Sequence, residues 1–110
     1  MLKLRRLDPA RGDEIRRRVE EFAERLKATP GVRAVYAYGS FVAGDLHEGS
    51  DIDLMVVADF PEPFLDRIGR VLAMTDLPIE PLVYTTAEFE AMRNGGNPLI
   101  GEVLRTGRQL

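Results

Sequence analysis

Gly39-Ser40-Phe41-Val42-Ala43-Gly44-Asp45-Leu46-His47-Glu48-Gly49-Ser50-Asp51-Ile52-Asp53 is the stretch that decides how this chain folds. A Gly-Ser turn ends one apolar run, Val32 to Tyr38, and two carboxylates spaced i, i+2 open the next, Asp51 to Ala58. Alternate residues of a strand share a face, so Asp51 and Asp53 point the same way, on the order of 7 Å apart along the backbone. Carboxylates so placed can share metal ions. The backbone N–H groups and hydroxyl of Gly39-Ser40 can hold the phosphates of a nucleotide.

Outward from this stretch the chain alternates helical and extended patterns. Upstream, Asp8-Pro9 reads as an N-cap with proline at the first helical position, and Ile15, Val19, Phe22 and Leu26 recur at helical spacing as far as Ala28. Thr29-Pro30-Gly31 stops that helix. Ser40 to Leu46 reads as a short helical turn, and His47-Glu48-Gly49-Ser50 as a loop. Downstream, Pro61-Glu62-Pro63 opens a second long helix, with Phe64, Leu65, Ile68, Val71, Leu72 and Thr75 on one face, closed by Asp76-Leu77-Pro78. Ile79 to Tyr84 is a third strand, and Pro81 suits an edge. Thr85-Thr86-Ala87-Glu88 has the capping-box pattern and starts a short helix to Arg93. Asn94-Gly95-Gly96-Asn97-Pro98 breaks the chain before a last amphipathic segment holding Leu99, Ile100, Val103 and Leu104. The expected fold class is α/β (α+β): a small mixed sheet with helices packed on it, in one domain spanning residues 1–110.

Composition bounds the function. A hydrophobic fraction of 45% with 30% charged residues is ordinary for a globular protein, and no apolar run is long enough to span a bilayer. The absence of cysteine excludes disulfides and thiolate metal sites, and with no signal-like start the expected residence is cytoplasmic. A net charge of −3 argues against an extended nucleic-acid surface. Lys3, Arg5, Arg6, Arg11, Arg16, Arg17 and Arg18 crowd the first segment; the reading is a solvated helix face, with an acidic partner or RNA as the alternative. At this size, substrate recognition must come partly from another molecule.

Two like charges beside a buried strand destabilise it unless a cation neutralises them. Magnesium suits carboxylate oxygens and relies on substrate phosphates to complete its shell. Glu80, near the start of the neighbouring strand, adds a third acid on the same sheet face, and three acids allow two metals roughly 3.5–4 Å apart. His47 is read as a solvated loop residue, Tyr36 and Tyr38 as sheet-face packing, and Met55, Met74 and Met92 as core fillers.

The pattern Gly39, Ser40, Gly44, Ser50, Asp51, Asp53, Leu54 resembles the signature of the DNA polymerase β-like nucleotidyltransferase superfamily, and the short chain looks like its minimal nucleotidyltransferase (MNT) branch. The segments Glu80 to Glu90 and Asn97-Pro98-Leu99 also look like that branch. The resemblance implies the nucleotidyltransferase fold and an NTP, ATP foremost, held through Gly39, Ser40, Gly44 and Ser50. It implies Asp51, Asp53 and Glu80 as catalytic acids and ligands of two Mg2+ ions. A hydroxyl attacks the α-phosphorus, pyrophosphate leaves and a nucleoside monophosphate is transferred. Members of this branch often pair with a small helical HEPN toxin, which the MNT antitoxin can AMPylate. Neutralisation by contact alone, or transfer to an RNA end or a small molecule, are the alternatives. Where many relatives carry an arginine between Ser40 and Gly44, this chain has Phe41-Val42-Ala43, leaving Arg67 and Arg70 as candidate replacements. Its third acid is Glu80, usually Asp in the family. The edge near Pro81 and the apolar C-terminal turn are candidate interfaces, including one between copies of this chain.

Overall fold

The computed structural model describes residues 9–44 and 51–110. Its elements run α1 (Pro9–Lys27), β1 (Val32–Tyr38), α2 (Ser40–Ala43), β2 (Ile52–Ala58), α3 (Phe64–Leu72), β3 (Ile79–Tyr84), α4 (Thr86–Asn94), α5 (Pro98–Thr106) and β4 (Arg108–Gln109). The strands form one mixed sheet in the order β3-β2-β1-β4. β2 pairs antiparallel with β1 and parallel with β3, the latter through α3 as the crossover helix.

Central β2 is buried along its length except at Asp53, as a strand covered on both faces must be. One face carries Ile52, Leu54, Val56 and Ala58, packed with Phe22 of α1 and Val71 of α3. The other carries Met55 and Val57, packed with Phe89 of α4 and with Ile100 and Val103 of α5. On α1 the residues Val19, Phe22, Ala23 and Leu26 are all buried at helical spacing, with Val19, Phe22 and Leu26 each contributing roughly 1.5–3 kcal/mol. Among the described residues, no helix is long and apolar enough to cross a membrane. Arg17 and Arg18 make exposed ion pairs with Glu21 and Asp76, as a solvated helix face would.

The second long helix is shorter than its pattern suggests. α3 has nine residues and buries Arg67 and Val71, while Leu65 is 76% exposed and Leu72 also faces solvent. The buried stripe follows residues 64, 67, 68 and 71, and Leu65 and Leu72 lie a residue further round the helix. Thr75 falls beyond the helix, where its hydroxyl accepts from the Leu77 N–H. Arg67 tolerates burial because its guanidinium pairs with Glu88 at 3.0 Å and lies over the Phe64 ring. β4 had no counterpart in the sequence reading: it adds two residues against Tyr36 and Ala37 at the open edge of β1. At the opposite edge β3 accommodates Pro81, as expected.

The capping box is formed. Thr85 Oγ1 accepts from the Glu88 N–H at 3.2 Å, and Glu88 Oε1 accepts from the Thr85 N–H at 2.8 Å. That second bond, with help from Arg67, lowers the Glu88 pKa. Thr85→Ala is expected to lower stability by ~1 kcal/mol, measured by urea unfolding.

Candidate functional site

Tyr38, Asp53 and Glu80 form one row across three strands: Tyr38 is the register partner of Asp53 on β1, and Glu80 that of Asp53 on β3. All three lie on the sheet face that carries Met55, Val57, α4 and α5, since side chains alternate along each strand. They stand at its end, where β1 finishes and β2 and β3 begin. Glu80 is exposed and Asp53 half-buried. Asp51 is exposed and immediately precedes β2.

The electrostatics follow from this crowding. Burial first, then the charges of Glu80 and Asp51, push the Asp53 carboxyl above its ordinary range. Burial, Asp53, Glu80 and Tyr84 push the Tyr38 phenol up to about 12, so Tyr38 faces the acids as a neutral hydroxyl. Among the described residues no three acids or imidazoles already converge where a metal ion would sit. The donor set itself is hard oxygen under mutual repulsion, which fits magnesium; further donors would have to come from a phosphate chain and water.

Gly39 joins β1 to this row. Its φ of 71° and ψ of −145° lie in a region essentially reserved for glycine, and a Cβ there would overlap Asp53 Oδ2 and lie 3.4 Å from Asp53 Cγ. The bare backbone of the turn therefore rests directly against the carboxylate. Ser40 opens α2 and is half-buried; the Gly39 carbonyl accepts from the Val42 and Ala43 N–H groups at 3.2 and 3.1 Å. Gly44 ends the single turn in the left-handed region at φ 75°, its N–H donating to the Ser40 carbonyl. Ser50 and His47 lie outside the described residues, as do residues 45 and 46 of the expected helical turn.

Two sequence expectations are corrected and one is extended. Arg67 and Arg70 do not serve the Gly39-Ser40 turn. Arg67 is held by Glu88, just past the end of β3, and Arg70 by Glu62, just past the end of β2, with its guanidinium 3.7 Å above the Phe60 ring. The acids sit at the opposite ends of those strands, about 16 Å away at the rise of a β-strand. The leucine face expected on α3 is likewise displaced by Arg67. Tyr36 is a packing residue, stacked on Phe89 at 6.1 Å, but Tyr38 does more than pack. It was legible as the residue before the glycine turn; its position opposite Asp53 depended on strand register.

Residues 20–110 match the family described as "Polymerase beta, Nucleotidyltransferase", a span that includes the glycine turn and all three acids. No curated protein matches the chain. Among solved structures, a provisionally named nucleotidyltransferase from Sulfolobus solfataricus superposes with a TM-score of 0.54 at 24% identity, over 73% of this chain and 78% of its own. A toxin-antitoxin crystallised with AMP-PNP superposes with a TM-score of 0.54 at 19% identity, over 84% of this chain and 69% of its own. At these identities the likeness is one of fold.

Proposed function

The chain belongs to the polymerase β nucleotidyltransferase family, and on that premise we propose that it transfers a nucleoside monophosphate, AMP from ATP, to a hydroxyl on a partner protein. The observation that carries the reading is the Tyr38-Asp53-Glu80 row with the Gly39 backbone packed against Asp53. The Gly39-Ser40 turn and Gly44, with Ser50, hold the triphosphate. Asp51, Asp53 and Glu80 are the ligands for two magnesium ions. Magnesium, when bound with the nucleotide, supplies positive charge that offsets the charge developing on the reacting phosphoryl oxygens.

The acceptor oxygen forms a bond to the α-phosphorus as the α–β anhydride bond breaks, and pyrophosphate leaves. Glu80, exposed beside Asp53, takes the proton from the acceptor hydroxyl. Tyr38 stands beside Asp53 in the same row as a neutral hydroxyl. The partner proposed is a small helical HEPN toxin in the cytoplasm, with this chain as its antitoxin. The toxin-antitoxin structure with AMP-PNP, an ATP analogue, supports that reading through its shared fold.

Binding and transfer are tested together. ATP with magnesium at 100 times its dissociation constant is expected to stabilise the protein by about 2.7 kcal/mol, read as a thermal shift that EDTA abolishes. Asp51→Asn/Asp53→Asn is expected to lose both the shift and modification of the partner. If the double variant neutralises the toxin as well as wild type does, the antitoxin acts by contact alone.

A further inference from the structure

The Gly39–Gly44 turn carries no cation of its own, since Phe41, Val42 and Ala43 are all uncharged. The fold brings one to it from elsewhere. Arg16 of α1 places its Nη2 atom 3.9 Å from where a Cβ on Gly44 would lie, and its Nη1 atom 3.3 Å from where a Cβ on Gly12 would lie. Two glycines, one on α1 and one at the end of α2, thus leave the space the guanidinium uses. Buried Val19, Phe22 and Leu26 fix α1 against the sheet and so fix the base of this side chain.

We propose that Arg16 binds the phosphate tail of the nucleotide and supplies from α1 the positive charge that the turn lacks. The proposal rests on the nucleotide reading above and adds to it a residue from a different element. Its neighbours on α1 are directed elsewhere, Arg17 to Glu21 and Arg18 to Asp76. Among the described residues Arg16 has one long contact, to Asp13 at 3.8 Å, and the Asp13 side chain is 82% exposed. An exposed pair of that kind contributes little, so the guanidinium exchanges it for a phosphate at small cost. α2 is one turn long, which puts Gly44 about 6 Å from Ser40 along the helix axis. A triphosphate lying along the turn spans that distance, and an arginine fork suits its oxygens.

The test compares ATP and AMP binding in magnesium by calorimetry, using wild type, Arg16→Met, Arg16→Lys and the double variant Arg16→Met/Ala43→Arg. Ala43 is exposed, so an arginine fits there and restores a charge within the turn. Arg16→Met is expected to weaken ATP binding roughly 10- to 100-fold while AMP binding and the urea midpoint of the free protein hold. Arg16→Lys retains part of the ATP preference, and the added arginine recovers it. Unchanged ATP affinity in Arg16→Met, an equal loss for ATP and AMP, or failure of Ala43→Arg to rescue overturns the proposal and leaves the nucleotide reading standing. No binding of ATP by wild type overturns both.

Discussion

Asp53→Asn is expected to lower nucleotidyl transfer on the order of 1,000-fold, the rate equivalent of about 4 kcal/mol of transition-state stabilisation, without weakening the fold. Asp53 stands at the centre of the row, with Tyr38 and Glu80 as its register partners on either side and the Gly39 backbone against its carboxylate. An amide keeps the shape but loses the charge and one of two acceptor oxygens. In the nucleotide-free protein that same charge is a liability, because burial and the neighbouring Glu80 and Asp51 disfavour it. The variant in EDTA at neutral pH should therefore melt no lower than wild type. Loss of activity with loss of stability would mean that Asp53 is structural.

Gly39→Ala is expected to cost both stability and activity. The left-handed φ of 71° costs any other residue roughly 1–3 kcal/mol. The added methyl also overlaps Asp53 Oδ2, so either the turn or the carboxylate must shift. A displacement of ~1 Å at a reacting centre costs on the order of 100-fold in rate. Urea unfolding and labelled transfer measure the two effects. Gly39→Ala with wild-type stability and wild-type transfer would show that the close approach of turn and carboxylate is dispensable.

The elements themselves were legible because their signals are local. The Val32 to Tyr38 run, the capping box at Thr85 and the break at Gly95-Gly96 all act within a few residues, and each stands where the pattern placed it. Of the two spaced acids, Asp53 lies on β2 while Asp51 immediately precedes it, outside the alternation that gives a strand its faces. Register was not legible. That Tyr38 and Glu80 flank Asp53 depends on how three separated strands align, and pairing between distant segments leaves no local mark. β4 escaped for a related reason, its two residues having no period to detect. Gly107 was the available hint: a Cβ there would sit 2.9 Å from the Ala37 carbonyl oxygen. In the sequence Arg16 reads as part of a solvated helix face and Arg67 as a candidate cation for the glycine turn. Only the packing shows that Arg67 is buried against Glu88 and Arg16 reaches the glycine turn.

The central claim is that this site moves the α-phosphoryl group of a nucleotide. Parallel reactions with the helical partner, in magnesium, with ATP labelled at the α- or the γ-phosphate, test it most directly. The account predicts α-label on the partner protein, γ-label only in released pyrophosphate, and neither transferred by Asp53→Asn. Transfer of γ-label, or no label on a partner that binds tightly, would contradict it.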